Sequence, residues 1–153
     1  MKKIFLIMLV VLGSLGMYAD EPTGKALTMR GEILNYLRSE GYMPKIDSDG
    51  DIQFKREGVS YWISLDNYGQ YVYANTYSSM DTKGASMYRV RSSANTAQRK
   101  YKFVRCNVYD SSVSVSVPLP IKTLSEYKGF FPDVIDIIIN TKKVMKEEYN
   151  EED

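Results

Sequence analysis

The chain has 153 residues, 20 basic and 19 acidic side chains, a net charge of +1, one cysteine and no histidine. That balance gives no electrostatic case for binding nucleic acid. The missing imidazole removes the commonest general base and the commonest metal ligand, so zinc sites of the usual kind, His-dependent nucleophiles and histidine relays are excluded, and no cofactor is expected.

The first residues read MKKIFLIMLVVLGSLGMYAD, with Lys2 and Lys3 ahead of an unbroken apolar run from Ile4 to Leu12. The run is shorter than the ~20 residues of a membrane-spanning helix, and small residues follow it. This pattern predicts a secretory signal peptide over residues 1–19, cut after Ala19 (or Gly16). It leaves a single α+β domain over 20–153, periplasmic or extracellular, with no membrane span. Losing Lys2 and Lys3 turns the net charge from +1 to −1. The lone Cys106 makes no internal disulfide. It alternates with Val104 and Val108, so it is expected on a buried strand face.

Residues 20–25 read as a short flexible start. Ala26, Met29, Ile33 and Leu37 recur at helical spacing and predict a helix over 25–40, with Thr23 as its cap and Gly41 as its stop. The period then falls to two. Ile52 and Phe54, then Val59, Tyr61, Ile63 and Leu65, then Tyr71, Tyr73, Asn75 and Tyr77 predict three antiparallel strands. Glu57-Gly58 and Asp66-Asn67-Tyr68-Gly69 supply the turns. Residues 78–86 read as a loop and 87–98 as a second helix. A strand over 101–109 follows. Val113, Val115 and Val117 then alternate with serines until Pro118 and Pro120 end the strand. Gly129 and Pro132 divide the last segment into a short helix near 123–128 and a long one near 132–149. The acidic end is expected to fray. The order α-β-β-β-α-β-β-α predicts an antiparallel meander sheet of about five strands packed by helices.

One stretch, PKIDSDGDIQF, gathers three acids around a glycine. An EF-hand loop counted from Asp47 would need glycine at position 6 and glutamate at position 12; here Gly50 stands at 4 and Gly58 at 12. Ser48-Asp49-Gly50 instead fits a hairpin turn, with Asp-Gly providing positive φ. Asp47, Asp49, Asp51 and Glu57 share this hairpin. On an exposed turn nothing desolvates them, so no raised pKa for acid catalysis is expected.

The stretch LRSEGYMPKIDSDGDIQFKREGVSYWISLD resembles the opening of the YbjN-like family of proposed bacterial sensory transduction regulators. The matching positions are Leu37, Gly41, Tyr42, Asp49, Gly50, Ile52, Phe54, Glu57, Gly58 and Tyr61. The similarity extends over about residues 26–149, through Asn95, the strand KYKFVRCNVYD, the Val-rich strand and the aromatic-Pro helix start. It implies a fold like that of type III secretion chaperones, often dimeric, with a binding role and no catalytic residues. Familiar members are mostly cytoplasmic, and the export signal here departs from them.

Two residue sets are candidates for function. Tyr71, Tyr73 and Tyr77 fall on one side of a strand, with Trp62 and Tyr68 near in sequence; on a solvent-facing side they form an aromatic binding surface. Alternation alone also permits Tyr71 and Tyr73 beneath a helix with Val72 and Ala74 facing out. The second set is basic: Arg89, Arg91, Arg99, Lys100, Lys102 and Arg105 lie in a span free of acids. They suit an anionic partner, solvated charge, or pairing with the acidic C-terminus. The reading that follows is a non-catalytic exported binding protein, homodimeric, with a protein or peptide client. The alternative is a module for a glycan or other small molecule using the tyrosine face. An enzyme without histidine would need a cleft of desolvated carboxylates or Lys/Tyr pairs.

Overall fold

The computed structural model describes residues 23–151, so the predicted signal peptide lies outside the described residues. Helix α1 (Gly24–Ser39) leads into strands β1 (Lys45–Ile46), β2 (Ile52–Arg56), β3 (Val59–Tyr68) and β4 (Tyr71–Asp81). Helix α2 (Met87–Lys100) follows, then β5 (Arg105–Val108), β6 (Ser112–Ile121) and α3 (Leu124–Glu151). The strands form one antiparallel sheet in the order β1-β2-β3-β4-β6-β5. The fold is α+β as the two periods imply, with six strands in place of five. The added one, β1, is two residues long and too short to show a period; Lys45 pairs with Gln53 and Ile46 with Ile52.

Turn chemistry fixes the register. Glu57 and Gly58 both take positive φ, 52° and 80°, the twist-matching geometry of a two-residue hairpin, and Arg56 faces Val59 across it. The next hairpin is tighter than the four-residue turn expected from composition. Asp66, Asn67 and Tyr68 stay in β3, and Gly69-Gln70 alone reverses the chain between Tyr68 and its partner Tyr71. The Asp-rich stretch is a hairpin turn, as read. The Asp47 carboxylate accepts the backbone N–H of Asp49 and of Asp51, each at 3.0 Å, and Gly50 has φ 83°.

The helices pack on one face of the sheet. Ile52, Phe54, Tyr61, Ile63, Leu65, Val72, Ala74, Val113, Val115 and Val117 point toward them and are buried. From the helices come Ala26, Met29, Ile33 and Leu37, then Val90, Ala94 and Ala97, then Tyr127, Phe131, Val134, Ile135 and Ile138. Phe54 stacks on Tyr61 at 5.4 Å and meets Phe131 at 5.8 Å, so strand and helix stripes interlock through aromatic rings.

Several boundaries move, each for a physical reason. Residues 78–81 are strand, not loop, because β4 pairs with β6 along its whole length, from Val72 opposite Ile121 to Asp81 opposite Ser112. Strand β6 continues through Pro118 and Pro120. Its neighbour β5 ends at the Arg105–Ser116 pair, so beyond that point no strand on that edge asks for an N–H. Residues 101–104 lie outside the ladder, which starts β5 at Arg105. Cys106 is half-buried rather than buried; it sits opposite Val115, on the helix side.

Helix α3 is one helix with Pro132 inside it, not two. Lys128 and Pro132 are both exposed, so the hydrogen bond that proline deletes lies on the water side of the helix. Thr123 and Glu126 begin α3 in the manner of a capping box: Thr123 Oγ1 accepts the Glu126 N–H at 3.2 Å, and Glu126 accepts the Lys122 N–H at 2.6 Å. The Thr23 side chain does not cap α1. The Asn67 side chain of β3 does so, accepting from the Ala26 N–H at 3.0 Å and donating to the Thr23 carbonyl at 2.6 Å. Gly41 ends α1 as expected: at φ 86° it lets its own N–H reach Arg38 and that of Tyr42 reach Leu37.

Candidate functional site

The alternation that buries Val72, Ala74, Thr76 and Ser78 under the helices turns Tyr71, Tyr73, Asn75 and Tyr77 to the opposite face. Trp62 pairs with Tyr77, Asp66 with Tyr73 and Tyr68 with Tyr71, which puts Trp62, Asp66 and Tyr68 on that same face. Trp62, Tyr68, Tyr71, Tyr73 and Tyr77 therefore come together on the sheet face away from the described helices. The arrangement with Tyr71 and Tyr73 beneath a helix does not occur, because Val72 at 2 % exposure and Ala74 at 0 % take those places.

The rings are not equivalent. Trp62 and Tyr77 stack with centroids 5.6 Å apart and planes 13° from parallel, so each ring occupies one face of the other. The Tyr77 hydroxyl donates to Asp51 Oδ2 at 2.8 Å. Burial raises the Asp51 pKa, and the Tyr77 hydrogen bond opposes that rise. This corrects the expectation for the turn: one of its carboxylates is desolvated, because the tyrosine of β4 leans over it. Burial, with the Asp51 hydrogen bond, also pushes the Tyr77 hydroxyl well above its ordinary value. The Lys122 ammonium lies 4.8 Å over the Tyr71 ring. Tyr73 borders an open hollow of about 480 Å³ shared with Asp66, Asn67, Tyr68, Arg105 and Pro120. Asp51, Asp66 and Lys122 were not singled out in the sequence as members of this surface. Asp66 was legible in principle, since it alternates with Trp62; Lys122 was not, because it lies past the end of β6.

The basic residues do not form one patch. Arg89 turns inward, its guanidinium 4.5 Å over the Tyr149 ring and donating to the Tyr149 carbonyl. Arg91 and Arg99 face outward along α2, and Arg99 donates to Thr96 at 3.2 Å. Lys100 and Lys102 are exposed at the end of α2, where cations complement the helix dipole. Arg105 lies in β5 and reaches the hollow beside Tyr73. The helix and the strand point these charges in different directions, which a linear span of sequence does not show.

A second polar feature lies where β3 and β4 part. Their ladder stops at the Trp62–Tyr77 pair. Beyond it the Ser78 hydroxyl bridges the gap, donating to the Ser60 carbonyl at 2.7 Å. Lys142 of α3 inserts there, its ammonium 2.7 Å from Ser78 Oγ and 2.9 Å from the Ser79 carbonyl.

No protein-family model matches the chain, and no curated protein matches it. Among solved structures, it is similar to the crystal structure of YbjN, a proposed transcription regulator from E. coli, with a TM-score of 0.55 over 79 % of this chain and 92 % of that one. The two sequences are 7 % identical over the match. The likeness is one of fold, and it agrees with the fold that the turn and core residues of the first hairpins imply.

Proposed function

We propose that this chain is a non-catalytic, exported interaction protein that binds through the uncovered aromatic face of its sheet, and that the first occupant of that face is a second copy of the chain. The observation that carries the reading is the convergence of Trp62, Tyr68, Tyr71, Tyr73 and Tyr77 on the sheet face away from the described helices. Tyrosine and tryptophan are the residues that dominate protein interfaces, since they add contact area with few rotatable bonds. The same face carries Asp66 and Arg105 beside Tyr73. Under a two-fold axis such a pair is self-complementary, the acid of one copy meeting the base of the other. The export half of the proposal rests on Lys2, Lys3 and the apolar run that follows them.

The non-catalytic reading has physical support too. The sequence holds no histidine. Ser78 and Lys142 stand at the distance of a nucleophile and its base, yet the Ser78 side chain has no exposure and its proton is committed to Ser60. A substrate carbonyl has no route to that oxygen.

Light scattering on the secreted form at two concentrations tests the dimer. The expected result is a mass near twice the monomer, falling to the monomer in Tyr73→Ser with unchanged circular dichroism. A wild-type monomer at both concentrations removes the self-association. The hollow beside Tyr73 favours one further reading, a small polar ligand such as a glycan, with the ring as stacking face and Asp66 and Arg105 as hydrogen-bonding partners for hydroxyls. Glycan-array binding by the wild type that disappears in Tyr73→Ala would establish it.

A further inference from the structure

The parting of β3 and β4 leaves an open cleft of about 770 Å³ against the C-terminal half of α3. Ser60, Tyr61 and Trp62 line one side, Ser79 and Asp81 another, and Lys142, Lys143, Lys146, Glu147 and Asn150 the helix side. The carboxylates of this lining are already engaged. Glu147 pairs with Lys143 at 3.8 Å, and Asp81 accepts the backbone N–H of Lys83 at 2.8 Å. Lys142 is different. Its two hydrogen-bond acceptors, Ser78 Oγ and the Ser79 carbonyl, are neutral. Among the described residues no carboxylate forms an ion pair with Lys142 or Lys146.

A half-buried ammonium without a counter-ion is costly, since neutral dipoles replace only part of the lost hydration. Burial, and then the neighbouring Lys146 charge, lower the Lys142 pKa to about 8. Two acceptors fix the ammonium and leave its third N–H direction unassigned. Lys146 stands one helical turn further on, at the i+4 position of the same helix face.

We propose that this cleft is a binding site for a small anion bearing a carboxylate or phosphate group, held by Lys142 and Lys146. The oxyanion takes the place of the missing counter-ion: it accepts the remaining N–H of Lys142 and one from Lys146, as charge-assisted hydrogen bonds. The site is independent of the dimer reading, although Trp62 borders both surfaces. It needs no acid–base chemistry and forms no covalent bond.

The Trp62 indole stacks on Tyr77 on the other face of the sheet, so the readout must not depend on it. The experiment is an isothermal calorimetric titration of the full secreted chain with inorganic phosphate and, separately, with acetate, at constant ionic strength set by chloride. A saturable heat with phosphate alone assigns the phosphate class; with acetate alone, the carboxylate class; with both, a general oxyanion site. Each supports the proposal if the affinity falls about tenfold or more in Lys142→Met, as expected for loss of a charge-assisted bond. Lys146→Gln, an exposed position that does not threaten folding, is expected to weaken binding several-fold, and Lys100→Gln to leave it unchanged. No saturable heat with either anion overturns the proposal. So does saturable binding that all three variants retain.

Discussion

The hydroxyl of Tyr77 donates to Asp51 across 2.8 Å while its ring lies nearly parallel to that of Trp62. Tyr77 belongs to β4 and Asp51 to the turn before β2, with β3 between them in the sheet. The contact therefore ties the edge hairpin to the middle of the sheet, on the face that the helices leave open. Burial raises the Asp51 pKa, and the hydrogen bond works against it. Removing the donor in Tyr77→Phe should raise that pKa further, a direction that carboxyl NMR titration reads directly. The same substitution should cost about 1–2 kcal/mol, in the range for a hydrogen bond to a charged acceptor, and should speed hydrogen exchange in β1 first. An unchanged Asp51 titration would mean that the carboxylate is held by its own turn alone.

The β2–β3 turn offers a cleaner stability test. Glu57 is a non-glycine residue at positive φ, 52°, beside Gly58 at 80°. Asparagine tolerates that region better than glutamate, and Asn-Gly is the favoured pair for this hairpin. Glu57→Asn should stabilise the fold by about 0.5–1 kcal/mol. Gly58→Ala should destabilise it by about 1 kcal/mol or more, although a Cβ there meets nothing within 4 Å. The cost is conformational rather than steric, and urea midpoints for the pair of variants separate the two.

How far the sequence reveals the structure depends on the scale of the signal. The stripe of Ala26, Met29, Ile33 and Leu37 and the alternation of Val113, Val115 and Val117 were sufficient for α1 and the core of β6. The alternation of Tyr71, Tyr73 and Tyr77 placed them on one face but could not say which, because both faces of β4 read as acceptable strand surface. Only the packing of Val72 and Ala74 under the helices decides it. The prolines misled for a related reason: Pro118 and Pro120 break a strand only where the missing N–H would be used, and here it is not, while Pro132 does delete a helix hydrogen bond, but on the water side, where solvent can take the Lys128 carbonyl. The Lys142 cleft was invisible, since it depends on β3 and β4 separating at one end and on a lysine 64 positions away from Ser78. The Thr123–Glu126 start of α3, by contrast, carries a Thr-x-x-Glu spacing that is legible in the sequence itself.

The core contains a polar pair whose energetics can be dissected. Thr76 and Tyr127 are both fully buried, and their hydroxyls stand 3.3 Å apart. Tyr127→Phe leaves the Thr76 hydroxyl without this partner, and Thr76→Val does the reverse to Tyr127. Each single substitution should cost about 1–2 kcal/mol, because an unpaired buried hydroxyl keeps its desolvation penalty. The double substitution, which removes both hydroxyls, should be less destabilised than the sum of the two. A double-mutant cycle by urea denaturation yields the coupling; strict additivity would show that the two hydroxyls do not interact.

Helix α3 should respond to Pro132→Ala. The proline denies a hydrogen bond to the Lys128 carbonyl in an otherwise continuous helix of 28 residues, Leu124–Glu151. An interior proline costs about 3 kcal/mol against alanine, and placing it on the exposed side recovers part of that through water, so a gain of about 1–2 kcal/mol is expected. Ellipticity at the helix minimum should deepen and the thermal midpoint rise. A loss of stability would show instead that Pro132 helps to lay Phe131 against Phe54.

The final prediction concerns pH, and two groups act with opposite signs. Burial lowers the Lys142 pKa to about 8, against about 10.4 for an exposed lysine. The folded state therefore releases this proton first. Between those two values the unfolded chain binds more protons, so this group makes stability rise with pH across the window. Burial pushes the Cys106 thiol up to about 11 from 9.0. There the unfolded chain ionises first and binds fewer protons, so this group makes stability fall as pH climbs through the same region. The wild type shows their sum with every other titration, and substitution separates them. Urea midpoints between pH 7 and 10 should decline more steeply in Lys142→Met than in wild type, since the rising contribution is gone. They should decline less steeply in Cys106→Val. A Lys142→Met profile parallel to wild type would show that its ammonium is solvated in the folded protein, and that the cleft between β3 and β4 does not hold an uncompensated charge.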